Sequence, residues 1–283
     1  MIIRALRFAL LLAIVMAGLS AHARITCTFS STGWSTAYVP STAANNITQG
    51  TVSVTCQRNA GGDGTTVNFN IRVNNGTHAA GQQNRAQLNA ANRLNYENYQ
   101  DSGCGTLWGN NAAGQIAGTI TGLTGFAPMT TSVSFWGCVP GSQTGGAAGT
   151  YTDTVTMTLR YGGATNPTAT FPVTIVSPAS CSISTAPGTV AFTYSAFQAG
   201  VSNAGTTFGV TCTSLLPYTM ALDATTAVIA GLQYSLALSS TNATGIGSEQ
   251  SYAITGTMPA GQAGTCGTSS CAATQPRMLT ISY

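Results

Sequence analysis

The sequence predicts an all-β protein built from two tandem antiparallel β-sandwich domains, and three observations support this prediction. Charged residues make up only 5% of the chain and lysine is absent, so the solvated charged faces of ordinary helices cannot be built. Short runs of alternating apolar and polar residues recur between turns rich in glycine and asparagine. The pattern of the first half returns in the second half, which indicates two similar domains rather than a solenoid of short repeats.

Residues 1–23 have the features of a secretory signal peptide. Arg4 and Arg7 form a positive start, residues 8–19 are apolar, and residues 21–23 follow the small-x-small pattern that precedes cleavage. The apolar run is too short to span a membrane comfortably. We therefore expect residues 1–23 to be removed and the mature protein to be secreted.

Charge remains sparse after residue 23, where seven arginines accompany six acidic residues. This near balance provides neither a basic footprint for nucleic acid nor a polybasic membrane patch. We therefore expect no nucleic-acid partner.

All eight cysteines follow the predicted cleavage site, and an even number in an oxidising compartment indicates disulfides. Zinc is the alternative, but no Cys-x-x-Cys pair occurs and His78 is the only histidine left, so we expect no metal or cofactor. The repeat equates two long pairs, and keeping the remaining pairs within each domain completes the set. The predicted disulfides are Cys27–Cys56, Cys104–Cys138, Cys181–Cys212 and Cys266–Cys271.

The predicted first domain, residues 24–166, contains enough short strands for a sandwich. Its alternating segments are 50–56, 67–73, 94–99, 116–120, 130–136 and 150–161. In the last of these, Asp153 interrupts an inward face of apolar side chains, so we interpret it as a structural hydrogen-bond acceptor rather than an acid.

The predicted second domain, residues 167–283, repeats this plan. Residues 205–212 repeat the pattern of 50–56, and residues 217–222 and 232–238 stand where 67–73 and 94–99 stand in the first domain. The final predicted strand places Leu279, Ile281 and Tyr283 on one face, as 150–161 does with its apolar residues.

Residues 168–179 form a donor-like strand between the two domains. Phe171, Val173 and Ile175 alternate with polar residues, and Pro172 favours the edge of a sheet because it lacks one hydrogen-bond donor. A strand in this position either completes the first domain or begins the second. We expect it to complete the first domain.

Three stretches carry a resemblance to a known family: the run 149–161 (Gly-Thr-Tyr-Thr-Asp-Thr-Val-Thr-Met-Thr-Leu-Arg-Tyr), together with 94–96 and 107–109. They resemble the spore coat protein U domain family, the pilin-type subunits of archaic chaperone–usher pili. The resemblance covers nearly all of the first domain and is weaker in the second. It implies immunoglobulin-like sandwiches that lack a final strand, which a periplasmic chaperone supplies first and the neighbouring subunit supplies later.

Two departures from an ordinary shaft pilin indicate a two-domain tip adhesin. Only residues 24–26 precede Cys27, so the donor extension of a shaft pilin is missing, and there are two domains instead of one. The resemblance then implies a subunit at the cell-surface pilus tip that mediates attachment and biofilm formation. Its expected partners are the chaperone, the outer-membrane usher and an adjacent pilin whose donor strand binds beside Leu279, Ile281 and Tyr283.

We expect the adhesive surface to lie on loops at the end of the first domain far from the second. If residues 150–161 run towards the second domain, then loop 139–148 lies at that far end, with the turn 58–64 and the loop 99–107. The candidate contact residues are Tyr99, Leu107, Val139 and Pro140. The sequence does not identify their ligand, and an abiotic plastic surface, a glycan and a host protein all remain open.

Two other function classes remain as alternatives. A secreted structural coat or matrix protein could be built from the same domains. A glycan-acting enzyme would need a paired nucleophile and base, and no such motif accompanies the acidic residues. We therefore expect no enzymatic activity, and we interpret Glu97 and Asp101 as solvated loop residues and Trp108 as a core residue.

Overall fold

The computed structural model describes residues 25–162, 166–267 and 271–283, and this part of the chain contains eighteen β-strands and no helix. The first ten strands are β1 Thr26–Ser31, β2 Trp34–Ala37, β3 Asn46–Gln57, β4 Thr66–Val73, β5 Asn84–Gln87, β6 Arg93–Tyr99, β7 Ile116–Thr121, β8 Met129–Val139, β9 Gly149–Tyr161 and β10 Thr168–Ser177. The other eight are β11 Cys181–Thr185, β12 Ser202–Cys212, β13 Pro217–Leu222, β14 Thr226–Ile229, β15 Leu232–Leu238, β16 Asn242–Thr244, β17 Glu249–Met258 and β18 Leu279–Ser282. The all-β prediction is confirmed.

The first unit, β1 to β10, is a sandwich of two layers. One layer has the strand order β1-β3-β8-β6-β5, and the other has the order β7-β4-β9-β10-β2. The single pair of Gln87 with Thr152 joins β5 to β9 and so links the layers along one side. All neighbours are antiparallel except β10 and β2, which are parallel.

The second unit, β11 to β18, repeats this topology with fewer strands. Its two layers have the strand orders β11-β12-β17-β15-β14 and β16-β13-β18. Strand by strand, these correspond to β1-β3-β8-β6-β5 and β7-β4-β9 of the first unit. The register agrees as well, because Cys27 lies opposite Cys56 and Cys181 lies opposite Cys212. Among the described residues, the second unit has no strand in the places of β2 and β10.

The core of the first unit includes β10. Phe171, Val173 and Ile175 are fully buried there, and the ring of Phe171 lies 5.2 Å from that of Phe135 and 6.0 Å from that of Trp108 between centroids. Of the two possibilities for this segment, the structure has the one in which it completes the first unit. The first core therefore extends to Ser177, beyond residue 166.

Pro172 does not make the whole of β10 an edge strand. β2 pairs with β10 from Val173 to Val176, so that Pro172 lies one residue before this parallel pairing. The chain enters β2 through Gly33, where φ is 73° and a Cβ atom would lie 1.9 Å from the carbonyl oxygen of Pro172. Only glycine tolerates both this backbone conformation and this close approach.

The direction of β10 decides which end of the first unit faces the second. β10 runs antiparallel to β9, from Thr168 opposite Thr158 to Ser177 opposite Gly149. The chain therefore leaves the first unit at the end where β9 begins, which we call the junction end. The opposite end, where β9 finishes, is the free end.

Loop 139–148 lies at the junction end, so its predicted position at the far end is wrong. Ala147 forms an isolated parallel bridge with Ser214 of the second unit, and a Cβ atom on Gly247 would lie 1.7 Å from the carbonyl oxygen of Thr144. The prediction assumed that β9 runs straight towards the second unit. In the structure β10 returns along β9 and reverses the direction of the chain.

The four disulfides have the pairing expected from the repeat: Cys27–Cys56, Cys104–Cys138, Cys181–Cys212 and Cys266–Cys271. The first and third join directly opposed residues of β1 and β3 and of β11 and β12. The second ties the loop after β6 to the end of β8. Each closed loop restricts the unfolded chain more than the folded one, which favours folding.

Candidate functional site

The second unit has an open groove between its two edge strands, β11 and β18. In the described chain β11 pairs only with β12 and β18 pairs only with β13, although β11 and β18 approach each other. In the first unit the equivalent place between β1 and β9 is filled by β10, which hydrogen bonds to β9 along ten residues and lies against β1. We call the unfilled place in the second unit the acceptor groove.

The side chains of the acceptor groove are less buried than their counterparts in the first unit. On β9, Val155, Met157 and Leu159 are completely buried. On β18, Leu279 and Ile281 are only half-buried. Tyr283, just after the strand, is 62% exposed. The difference is the missing strand, because β10 supplies the apolar side chains that cover β9.

An unpaired strand edge beside half-buried apolar side chains is suited to bind an added strand. Its free backbone N–H and C=O groups can form a new ladder, and alternating apolar side chains of the added strand can enter the groove. Complete burial of one large aliphatic side chain contributes about 1.5–3 kcal/mol. Three such side chains, as on β10, therefore make a substantial contribution to the stability of the completed sandwich.

The free end of the first unit carries a different surface, formed by the turn 58–65, the loop 122–128 and residue 162. Phe126 in this loop is 59% exposed and Met129, at the start of β8, is 38% exposed. Leu123, by contrast, is buried and anchors the same loop in the core. Large apolar side chains are therefore presented to solvent on a loop with a fixed base.

Arg58 holds the two segments of the free end together. Its guanidinium donates hydrogen bonds to the carbonyl oxygens of Leu123 (3.2 Å), Thr124 (3.4 Å) and Gly61. Asp63 in turn accepts from the backbone N–H groups of Asn59 and Ala60 within the turn, at 2.9 and 2.8 Å. A buried arginine that binds three carbonyl oxygens restricts the relative motion of turn and loop.

The four candidate adhesive residues predicted from the sequence do not form one surface. Val139 is completely buried, and the carbonyl oxygen of Pro140 at the junction end accepts a hydrogen bond of 2.7 Å from Tyr38. Tyr99 and Leu107 form a bridge on the side of the first unit, where Leu107 is 51% exposed. The prediction missed the exposed Phe126, because a single aromatic residue in a stretch of Gly, Thr, Ala and Pro is not by itself a signal for a contact surface.

Asp153 is a structural acceptor, as its place in an apolar face predicts. Its buried carboxylate accepts from the backbone N–H groups of Thr77 (2.9 Å) and His78 (3.2 Å) and from the hydroxyl of Tyr96 (2.7 Å), and it lies 3.1 Å from His78 Nδ1. Burial, and next the charge of Asp153, raise the pKa of Tyr96. All these groups serve to satisfy one buried charge.

Glu97 is not the solvated loop residue that we expected. It lies in β6, where its Oε1 accepts from Gln83 Nε2 (2.9 Å) and from the N–H of Asn84 (3.2 Å), and burial raises its pKa to about 7. Asp101 does lie in an exposed loop, and hydrogen bonds from the N–H groups of Gly105 and Thr106 lower its pKa. The expectation therefore holds for Asp101 only.

The described residues contain no group of three or more His, Cys, Asp or Glu side chains that could hold a metal ion. They also contain no helix of the length and hydrophobicity that a membrane crossing requires. Trp108 is buried in the first core and donates a hydrogen bond of 2.8 Å to the carbonyl oxygen of Ile71, so its predicted core position is confirmed.

Comparison with solved structures places the fold among pilus subunits. A chain of the CsuC–CsuE chaperone–tip adhesion subunit pre-assembly complex from the archaic chaperone–usher Csu pili of Acinetobacter baumannii is 14% identical, with 91% of this chain and 100% of that chain covered and a TM-score of 0.52. The CupB6 tip adhesin of Pseudomonas aeruginosa is 9% identical, with 91% and 94% covered and a TM-score of 0.40. At this identity the Csu match shows a shared fold.

The family comparison covers most of the chain. No curated protein matches. The model of the Spore Coat Protein U domain, in contrast, matches residues 13–158 and again residues 167–246, once in each unit. With well over half of its length matched in two copies, the chain belongs to the Spore Coat Protein U domain family.

Proposed function

We propose that this protein is the adhesive subunit at the tip of a chaperone–usher pilus, where it mediates surface attachment and biofilm formation. The first unit makes the contact, and the second unit connects it to the pilus. The observation that carries the proposal is the difference between the two units: β10 completes the first sandwich in cis, whereas the acceptor groove of the second is open.

The position of β10 in the sequence supports this reading. The second family match begins at Pro167, so that β10 precedes Cys181 as a donor extension precedes the first cysteine of a pilin. Its side chains nevertheless fill the first core. The second unit thus gives its own leading strand to the first unit and is left to receive one from another chain. The strand that stands in the donor position is thus already used within the chain, which suits a terminal position.

The expected partners follow from the acceptor groove. A periplasmic chaperone first covers β18, the outer-membrane usher then receives the complex, and the donor strand of an adjacent pilin replaces the chaperone. One solved structure that shares this fold is described as a chaperone–tip adhesion subunit pre-assembly complex. Cell-surface display after assembly in the periplasm is part of the same proposal.

Substitutions in β18 test the assembly step. Ile281→Asp places a charge in the acceptor groove, whereas Thr280→Asp adds the same charge on the exposed face of the same strand. We expect the Ile281 variant to lose co-purification with the chaperone of its own operon and to disappear from pili. The Thr280 variant should retain both, with gold-labelled antibody bound at pilus ends. Label along the shaft, or normal assembly of the Ile281 variant, would contradict the proposal.

Attachment itself is assigned to the free end. Phe126→Asp replaces the most exposed aromatic side chain of that end, and Val39→Asp makes the same change at the junction end, where Val39 is also exposed. Both variants should assemble into pili in normal amounts. We expect attachment of piliated cells to plastic and biofilm mass to fall at least severalfold for Phe126→Asp only. Equal attachment by the two variants would place the contact surface elsewhere.

A further inference from the structure

A polar cleft on the side of the first unit is used by neither the acceptor groove nor the free end. It has a volume of about 880 Å³ and lies between the turn that follows β4 and the loop 105–114 that follows β6. Small-molecule sites commonly have volumes of about 300–1,000 Å³. Its amide and carboxylate side chains are Asn74, Asn75, Gln82, Glu97, Asn110 and Asn111.

The side-chain amides of Asn74 and Gln82 have their oxygens occupied and their nitrogens available, whereas the amide nitrogen of Asn75 already donates to Gly81 O and Gln82 Oε1. Asn74 Oδ1 accepts from the N–H groups of Gly76 and Thr156, at 3.1 and 2.8 Å. Gln82 Oε1 accepts from the side-chain amide of Asn75 at 3.1 Å. The amide nitrogens of Asn74 and Gln82 donate to no described residue. Several N–H donors with fixed carbonyl ends thus face a common space.

Asn111 has the same arrangement, and Asn110 adds a further amide. Asn111 Oδ1 accepts from the N–H of Gly114 at 2.7 Å, and its nitrogen donates to no described residue. The side chain of Asn110 is exposed and hydrogen bonds to no described residue. Donors therefore line the loop wall as well as the wall formed by the turn.

Glu97 adds an acceptor to these donors. Its Oε1 receives both hydrogen bonds from the protein, at 2.9 and 3.2 Å, whereas Oε2 accepts none from the described residues. No lysine, arginine or histidine lines the cleft, so it offers no cationic side chain to pair with an anion. A single carboxylate is also too little for a firmly bound metal cation, which needs several oxygen ligands.

The walls of the cleft are held in place from outside it. The carboxylate of Asp101 accepts from the N–H groups of Gly103, Gly105 and Thr106 at 2.7–3.1 Å, and Cys104 is tied to β8 by its disulfide. Trp108 is buried next to the cleft, with both its ring N–H and its backbone N–H bonded at 2.8 Å. A site with fixed walls loses little conformational entropy when a ligand binds.

We infer that this cleft binds a neutral saccharide. Sugar hydroxyls donate and accept at once, which matches a ring of amide N–H donors around one free carboxylate oxygen. The exposed apolar side chain of Leu107 at the rim can pack on the C–H face of a sugar ring. A peptide would instead require an apolar pocket or a free strand edge, and the cleft provides neither.

Direct binding tests this site without reference to pili. The purified full chain is titrated with N-acetylglucosamine, galactose, mannose and their β-linked trimers, and ligand-detected saturation-transfer NMR reports contact. Glu97→Gln removes the acceptor charge and Asn110→Ala removes one exposed amide. Asn242→Ala, an exposed asparagine of β16 in the second unit, is the matched control.

We expect saturable binding of at least one of these sugars, weakened at least tenfold in both cleft variants and unchanged in the control. Absence of binding to every sugar, or unchanged binding by both cleft variants, would overturn the inference. A preference for sialic acid or glucuronate over all neutral sugars would also overturn it. Asn110 is exposed, so its variant gives an answer even if Glu97→Gln fails to fold. Neither result depends on the tip position proposed above, which is tested by assembly.

Discussion

Replacing Phe171 with alanine should destabilise the first unit by about 3–5 kcal/mol, the range observed when a buried phenylalanine is truncated. The ring is completely buried and packs against Phe135 and Trp108, with centroid distances of 5.2 and 6.0 Å. Both neighbouring rings belong to the first unit, whereas residue 171 lies in the segment connecting it to the second. The substitution therefore measures how much the connecting strand contributes to the core that it enters.

The tryptophans provide an assay specific to this unit. All three, Trp34, Trp108 and Trp136, lie in the first unit, so fluorescence during urea denaturation of the full chain reports that unit alone. With a slope of about 2 kcal/mol per molar urea, which is typical of small domains, a loss of 4 kcal/mol lowers the midpoint by about 2 M. Such a shift is far outside the error of the measurement.

Val176→Ala on the same strand is the matched control. Val176 is 38% exposed, so its truncation removes little buried surface and should lower the stability by about 0.5 kcal/mol or less. If Phe171→Ala shifts the midpoint no more than Val176→Ala does, then β10 does not stabilise the first unit and the reasoning about strand donation in cis is wrong.

Three further predictions concern other parts of the chain. Because burial raises the pKa of Glu97 from 4.5 to about 7, folded protein binds more protons than unfolded protein in that window, and stability should fall as pH rises through it. Glu97→Gln should remove this fall, and above pH 7 its free energy of unfolding should exceed that of the native chain by about 1–2 kcal/mol, after allowance for solvent screening. Urea titrations at pH 4.5 and 7.5 measure the difference. In thermal melts, Gly76→Ala should lower the stability by about 1–3 kcal/mol more than Gly81→Ala does. Both glycines have positive φ, but only at Gly76 would a Cβ atom lie against a buried carboxylate, 1.9 Å from Asp153 Oδ2. The fragment 24–180 should unfold at a higher urea concentration than 24–161, which lacks β10. Equal midpoints would contradict the claim that β10 stabilises the first unit.

The repeat was visible in the sequence because the same physical constraint acts twice. A cysteine pair on opposed strands requires a similar separation, 29 residues in the first unit and 31 in the second, and the same alternation, as residues 50–56 and 205–212 illustrate. Strand faces could be predicted for the same reason, since a strand with one buried face must alternate. The position of Leu279 and Ile281 on a single face follows from this rule.

The path of the chain could not be predicted from local pattern. β2 has only four residues and pairs in parallel with β10, where Trp34 lies opposite Val173, 139 positions later in the sequence. Neither the alternation within so short a strand nor the residues next to it in the sequence identify this pairing. Whether loop 139–148 lies at the junction end or at the free end depends on whether the chain after β9 continues directly to the second unit or first returns along β9. Alternation is the same in both cases, and only the three-dimensional pairing distinguishes them.

The return of β10 along β9 also determines how the molecule carries tension. A pull between the free end and the second unit enters the first unit at Ser177 and acts along the strand axes, because β10 leaves beside Gly149, where β9 starts. The backbone ladder between these strands, from Thr168 to Ser177, is then loaded in shear, and its hydrogen bonds share the force instead of opening one after another. The same strand that fills the core thus also makes the connection to the second unit resistant to rupture.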